Sequence, residues 1–233
     1  MTSIPFPPLI KGKLIKRYKR FLADVVLESG EIVTSHNTNT GSMEGCSESG
    51  RDVYLSVSHN PKRKYPYTWE LIEMEKTLVG VNTMLPNKLS ALAFREGAVE
   101  GVGKLVEVKS EVKYGESRLD LRLTTVRGKH IYVEVKNCTY VVNGVALFPD
   151  AKSQRAAKHL LELMDIVKEG HRAIILIMVA RKDARSFAPA DLIDPLFGKT
   201  LREALKGGVE LMVHQEELSL REAAFGASLP YEL

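Results

Sequence analysis

The sequence predicts two units of different class, a small all-β barrel or sandwich over residues 1–84 and an α/β domain over residues 85–233. Three observations carry this. Short runs of alternating apolar and polar residues, joined by turn-rich connections, continue to residue 84 without a helical period. From Pro86 onward, helical stripes and strands interleave. AIILIMVAR, residues 173–181, is a near-continuous apolar run, as a central strand covered on both faces requires.

Residues 1–10 hold three prolines and read as an extended lead-in. Residues 13–28 then alternate, with Phe21, Ala23, Val25 and Leu27 on one face, and the chain turns at Ser29-Gly30 into EIVTSH. RDVYLSVS and YTWELIEM are further short strands, and Trp69, alternating with Leu71, reads as core. Pro86 can open a helix whose stripe is Leu89, Leu92 and Ala93 and which Gly97 ends. Residues 104–114 form the first strand of the second unit, followed by the hairpin SRLDLRLTTVRGKHIYVEVKN, residues 117–137. A helix then follows with Asp150 as N-cap, Gly170 just past its end, and a buried stripe of Ala157, Leu160, Leu161, Met164 and Val167. Asp183, Asp191 and Asp194 read as turn and cap residues. A helix near 195–206 and the strand VELMVH close the unit.

The hairpin concentrates chemistry. Leu119, Leu121 and Leu123 alternate with Asp120 and Arg122, and Ile131, Val133 and Val135 alternate with Tyr132, Glu134 and Lys136. Glu134 and Lys136 therefore project together, roughly 7 Å apart along one face. A two-residue turn at Arg127-Gly128 would set Asp120 against Val135 and mix the faces. A three-residue loop ending with Gly128 in the left-handed conformation sets Asp120 opposite Glu134 instead, as the hydrophobic pattern demands. Two carboxylates and a lysine on one face suit Mg2+ or Mn2+ and a phosphate: hard cations take carboxylate oxygens, and a lysine can orient water or stabilise developing negative charge. The bland alternative is a solvated Glu/Lys pair, worth roughly 0.2–1 kcal/mol. On spacing alone that alternative leads.

Composition narrows the field. The chain has 233 residues, 44% hydrophobic and 27% charged, typical of a soluble globular protein. The longest apolar run is far shorter than a membrane span, and MTSIPFPPLI lacks the pattern of an export signal, so no membrane partner is expected. Cys46 and Cys138 stand alone, without metal-ligand spacing; they read as reduced thiols compatible with a cytoplasmic location. No glycine-rich nucleotide fingerprint occurs, which argues against an NAD or ATP enzyme. The net charge of +4 is mild, but Lys11, Lys13, Lys16, Arg17, Lys19 and Arg20 all precede the first acid, Asp24. Such a patch can contact phosphates or merely guard a strand edge.

The run RLDLRL…YVEVKNCTYVVNGVALFPDAKSQRAAKHLLEL, with LIKRYKRFLADV, NTGSM and NPKRKYPYTWEL before it, closely resembles the sugar fermentation stimulation protein A (SfsA) family over nearly the whole chain. The resemblance implies an N-terminal OB-fold and a C-terminal domain of the PD-(D/E)xK nuclease class, in proteins regarded as DNA-binding. Carried over by position, Asp120 and Glu134 are the acids and Lys136 the lysine of that motif, with Leu119 where its name has proline. Because nucleases of this class often take a further acid from the first helix, Glu96 is a candidate third metal ligand.

Candidate nucleic-acid contacts follow. In the barrel half they are Lys16, Arg17, Lys19 and Arg20; Thr40, Gly41 and Ser42 of the loop HNTNTGSMEG, whose amides could cradle an anion or simply form a turn; and Lys62, Arg63 and Lys64 beside Tyr65 and Tyr67. Arg155, Lys158, His159 and Glu162 share one helix face, from which Arg155 and Lys158 could grip a phosphate at the metal site. The expectation is a Mg2+- or Mn2+-dependent nuclease acting on DNA, with RNA left open. The alternative is a non-cleaving DNA-binding regulator of sugar-catabolism genes built on a nuclease-like scaffold. Nucleases that cut both strands often act as homodimers, but no helical seam announces one here.

Overall fold

A computed structural model describes residues 2–75, 77–115 and 117–233. In chain order the strands and helices are β1 (Ser3–Pro5), β2 (Ile10–Tyr18), β3 (Leu22–Leu27), β4 (Ile32–His36), β5 (Asp52–Val57), β6 (Tyr67–Met74), β7 (Thr77–Gly80) and α1 (Met84–Arg95). They continue with β8 (Leu105–Tyr114), β9 (Ser117–Thr125), β10 (His130–Cys138), β11 (Tyr140–Val142), β12 (Val145–Phe148) and α2 (Gln154–Lys168). The last are β13 (Arg172–Val179), β14 (Ser186–Pro189), α3 (Pro195–Lys206), β15 (Glu210–Leu218) and β16 (Glu222–Ser228). No described helix is long and apolar enough to cross a membrane.

β2 to β7 make a six-stranded sheet in the order β4-β3-β2-β5-β6-β7, and a parallel β4–β6 pairing closes it into a barrel. Its core holds Leu14, Val25, Leu55, Trp69 and Ile72; Trp69 is fully buried and its indole N–H donates to the Leu71 carbonyl. The stretch 13–28 is not one strand, as alternation alone suggests. It folds into the β2–β3 hairpin, with Lys19 and Arg20 both in the left-handed region, φ 49° and 66°, and Phe21 44% exposed. Two consecutive left-handed non-glycine residues are costly, and hydrogen bonds from Arg20 to the 37–43 loop help hold them.

The second unit is a seven-stranded mixed sheet in the order β1-β16-β15-β13-β10-β9-β8. β13 runs parallel to both neighbours and is buried on both faces, which is why its sequence is a continuous apolar run. α1 covers one face through Leu85, Leu89 and Phe94, while α2 and α3 cover the other through Leu160, Leu163, Phe197 and Leu201. Each such aliphatic side chain contributes about 1.5–3 kcal/mol by burial. Leu71 and Tyr54 of the barrel join the α1 core, so the two units share one apolar contact. The lead-in supplies β1, antiparallel to β16 at the edge of the second sheet, where Pro5 is tolerated.

Two helix starts differ from the sequence reading, and the first is α1, which begins at Met84, two residues before Pro86. α3 begins where expected, with the Asp194 carboxylate accepting from the Phe197 amide, but α2 is capped by Ser153, whose hydroxyl accepts from the Ala156 amide. Asp150 lies upstream and serves elsewhere.

Glu216 of β15 is fully buried where β7 crosses the sheet beside Gly80, and among the described residues neither carboxylate oxygen has a partner. Burial pushes its carboxyl up to about 8. The unfolded group ionises near the ordinary value of about 4.3. Between these two values the folded chain keeps a proton that the unfolded chain releases, so stability falls as pH rises through the window. Thermal unfolding from about pH 5 to about pH 8 is expected to show a steeper loss for the natural protein than for Glu216→Gln. Parallel pH profiles would remove Glu216 as the cause.

Candidate nuclease-like active site

The β9–β10 hairpin turns through Val126-Arg127-Gly128. Gly128 has φ +73° and donates to the Thr125 carbonyl at 2.9 Å, while the Thr125 amide donates to the Lys129 carbonyl at 2.9 Å. This is the three-residue loop that the apolar pattern requires. The ladder runs from His130↔Thr124 to Val133↔Leu121, a register that points Asp120 toward Glu134. There β9 departs from backbone pairing: the Asp120 carboxylate itself accepts the Val135 amide at 2.8 Å and the Asn87 side-chain amide of α1 at 2.6 Å.

Glu134, 3% exposed, sits between β9 and β13. One of its oxygens, Oε1, accepts from Lys136 Nζ at 2.6 Å and pairs with His159 Nδ1 of α2. The other oxygen is buried without a partner among the described residues. Arg155 Nε donates to His159 Nε2 at 3.4 Å, which leaves the imidazole proton on Nδ1, facing Glu134. Burial works against ionisation of Glu134, but the His159 hydrogen bond and the Lys136 charge outweigh it and hold the carboxyl below its usual range. Asp120 goes the other way. Burial, reinforced by the negative charge of Glu134, raises it to about 6 despite the Val135 amide, Lys136 and Asn87. Two neighbouring carboxyls driven apart in this way form a pair that a cation or a proton can bridge.

The two acids open into a cleft of about 340 Å3 between the barrel and the second unit. Arg20, Thr40 and Gly41 line its barrel side, with Asn87, Lys136 and Arg155 among the residues opposite. The 37–43 loop is shaped from within. Arg17 donates to the carbonyls of Asn39 at 3.1 Å, Gly41 at 2.8 Å and Ser42 at 3.1 Å, and Arg20 donates to that of Thr40 at 3.0 and 2.8 Å. Asn39 Oδ1 accepts the Gly41 amide at 2.9 Å. The loop is then latched to the second unit: Ser42 Oγ donates to the Asp150 carbonyl at 2.6 Å and the Met43 amide to the Asp150 carboxylate at 2.8 Å. A Cβ on Gly41 would lie 2.6 Å from Asp150 Oδ1, so only glycine permits this approach.

Several sequence candidates lie away from the two acids or are engaged within the chain. Glu96 ends α1, nine residues or about 14 Å along the helix from Asn87, and accepts the Thr2 hydroxyl instead of facing Asp120. The Gly41 amide is satisfied internally, so Gly41 and Ser42 form a latch and not an open anion cradle, while Thr40 stays exposed on the cleft. Arg17 is spent on the loop, and burial lowers its pKa below the ordinary arginine value. Lys158 pairs with Glu162 at 3.6 Å and lies outside the cleft lining; Arg155 belongs to it. Lys16, 3.9 Å from Asp24, and Lys19 are exposed on the barrel, as are Lys62 and Lys64, while Arg63 donates to Thr68 at 3.1 Å. None of these five lines the cleft.

Sequence reasoning missed Asn87 and Asp150 and undervalued His159. The signal for Asn87 is a polar residue in the first turns of an apolar helix; for His159 it is a histidine four residues after Arg155 on one helix face. Asp150→Ala removes the acceptor of the Met43 amide and is expected to cost about 1–3 kcal/mol. Hydrogen exchange should then quicken at Met43, and unchanged protection there would show that the latch does not depend on Asp150.

Among the described residues no group of three or more His, Cys, Asp or Glu side chains is disposed to hold a metal ion. Cation binding would therefore rest on two carboxylates, which is common for Mg2+.

Comparison with known proteins gives a consistent result. Residues 15–81 match the family model "SfsA N-terminal OB domain", and residues 84–222 match "Sugar fermentation stimulation protein RE domain". A sugar fermentation stimulation protein homolog of Geobacter sp. (strain M21) is 50% identical over 224 residues, covering 96% of each chain. A homolog of that description from Trichodesmium erythraeum (strain IMS101) is 50% identical over 216 residues, covering 90% of this chain and 86% of the other. The structure of Pyrococcus furiosus SfsA in complex with Ca2+ superposes with a TM-score of 0.93 at 26% identity, covering 100% of both chains. The barrel is an OB-fold and the second unit a PD-(D/E)xK-like α/β domain, as the sequence implies.

Proposed function

The chain belongs to the sugar fermentation stimulation protein (SfsA) family, and from that premise we propose that its cleft is a Mg2+- or Mn2+-dependent nuclease site acting on DNA. The observation that carries the reading is the pair Asp120 and Glu134, a half-buried and a buried carboxyl driven to opposite protonation behaviour, one with an oxygen that lacks a partner among the described residues. A cation between them would remove both the repulsion and the unmet hydrogen-bonding capacity, so the residues fit the group. That the Pyrococcus furiosus relative is a Ca2+ complex supports the same fit.

Asp120 and Glu134 would hold the cation, with Asn87 and the Val135 amide fixing the Asp120 carboxylate. When bound, Mg2+ or Mn2+ supplies Lewis-acid stabilisation of the phosphate's charge and an acidified water. Lys136, anchored on Glu134 at 2.6 Å, is placed to orient the attacking water or meet developing negative charge. His159 holds Glu134 from the far side. Arg155 and Arg20, on facing walls of the cleft, are cations for the phosphates that flank the reacting bond. A scaffold that only binds DNA gains nothing from two carboxylates facing phosphates.

The test is end-labelled single-stranded, duplex and branched DNA, and RNA, incubated with the protein and Mg2+, Mn2+ or EDTA. Cutting that requires the cation is the expected result. Binding without cutting of any substrate, indifferent to EDTA, would overturn the nuclease reading and leave a DNA-binding regulator.

A further inference from the structure

We propose a second nucleic-acid contact, a basic pocket at the far end of the motif hairpin, where phosphodiester backbone is held by Lys104, Arg127 and Lys129. The pocket has a volume of about 650 Å3, and its lining carries four Lys or Arg residues, two His and no Asp or Glu. Among the described residues only one of its cations is neutralised: Arg172 pairs with Glu210 at 2.7 Å. Lys104, Arg127 and Lys129 are exposed and make no ion pair or side-chain hydrogen bond among the described residues. On the same sheet Arg122 pairs with Glu107 at 3.0 Å and Arg118 with Glu111 at 3.3 Å.

Two rings, His130 and His171, belong to the lining, and Tyr132 packs behind them. His130 and His171 lie 5.9 Å apart by ring centroid, and Tyr132 packs edge-on to both at 6.4 and 5.7 Å. Unpaired cations for phosphates beside flat rings for bases suit a nucleic acid better than an acidic protein, which would need hydrogen-bond donors matched to discrete carboxylates. His130 and Glu134 are four residues apart on β10, so pocket and cleft are separated by about 13 Å along that strand. They lie toward opposite ends of α2: Arg155 and His159 flank the cleft, and Gly170 and His171 line the pocket.

The inference rests on the nucleic-acid reading of the cleft but not on its chemistry, so the test is equilibrium binding and not cleavage. Affinity for a labelled DNA is measured across salt concentrations in EDTA for the natural protein, for Lys104→Gln/Arg127→Gln/Lys129→Gln, and for Lys199→Gln/Lys206→Gln on α3. Three lost phosphate contacts flatten the slope of log K against log salt by about 2–3, whereas the α3 control leaves it unchanged. The natural protein binding DNA with a slope that the triple variant shares would overturn the pocket. Equal flattening by the α3 control would reduce it to net charge and overturn it too. Failure of the natural protein to bind any nucleic acid would overturn the reading on which the pocket rests. Circular dichroism of the triple variant should match the natural protein, since all three side chains are exposed.

Discussion

Glu134→Gln is expected to lower cation-dependent cleavage by on the order of 10³-fold while leaving nucleic-acid affinity within about threefold. Glutamine keeps the shape of the side chain and an oxygen for Lys136 and His159, but it carries no charge for a cation. The affinity should survive because the cations on the cleft walls, Arg20 and Arg155, do not pass through Glu134's carboxylate for their charge. The substitution also strips the counter-charge from Lys136, whose side chain is 13% exposed, and removing one partner of a buried pair costs about 3–5 kcal/mol. Cleavage is therefore compared at a temperature where both proteins give the same circular dichroism. Full activity in the folded variant would separate Glu134 from the chemistry. Loss of both cleavage and DNA affinity would point to a collapsed cleft.

Asp120→Asn should act on stability in the opposite sense. Burial and the neighbouring charge of Glu134 raise the Asp120 carboxyl to about 6, whereas the unfolded group ionises near about 3.9. Its folded-state pKa is raised, so the protein is favoured while the group is protonated and loses stability as pH rises from about 4 to about 6. Above that window the full cost is on the order of 2–3 kcal/mol, and asparagine removes it. The variant should melt several degrees higher than the natural protein in EDTA at neutral pH, at about 2–4 °C per kcal/mol for a chain of this size. Mg2+ or Mn2+ should close the gap. A cation at about a hundred times its Kd stabilises the form that binds it by about 2.7 kcal/mol, so the natural protein gains and the variant does not. A variant that melts lower in EDTA, or that gains equally from the cation, would contradict the electrostatics assigned to this pair.

What the sequence reveals and hides follows from the range of the forces involved. The hairpin register is legible because Gly128 and a strict apolar alternation act over a few residues, and β13 is legible because burial on both faces leaves no polar position. α3 announces itself by Asp194 before Pro195. The placement of α1 against β9 is a tertiary matter. It brings Asn87 to Asp120 and carries Glu96 away, and no periodicity within the helix decides which turn meets the strand. The loop 37–43 is hidden for a related reason, since whether Arg17 and Arg20 point to solvent or into a ring of carbonyls depends on where the chain returns. His159 shares its helix face with Lys158, yet the packing of α2 buries the first against Glu134 and leaves the second in solvent.

The proposed nuclease site turns on Asp120 and Glu134 sharing a divalent cation. Calorimetric titration of Mn2+ into the metal-free protein, beside Asp120→Asn and Glu134→Gln, measures that directly. Saturable binding to the natural protein that is lost in both variants is the expected result. Absence of binding, or binding that both variants retain, would contradict it.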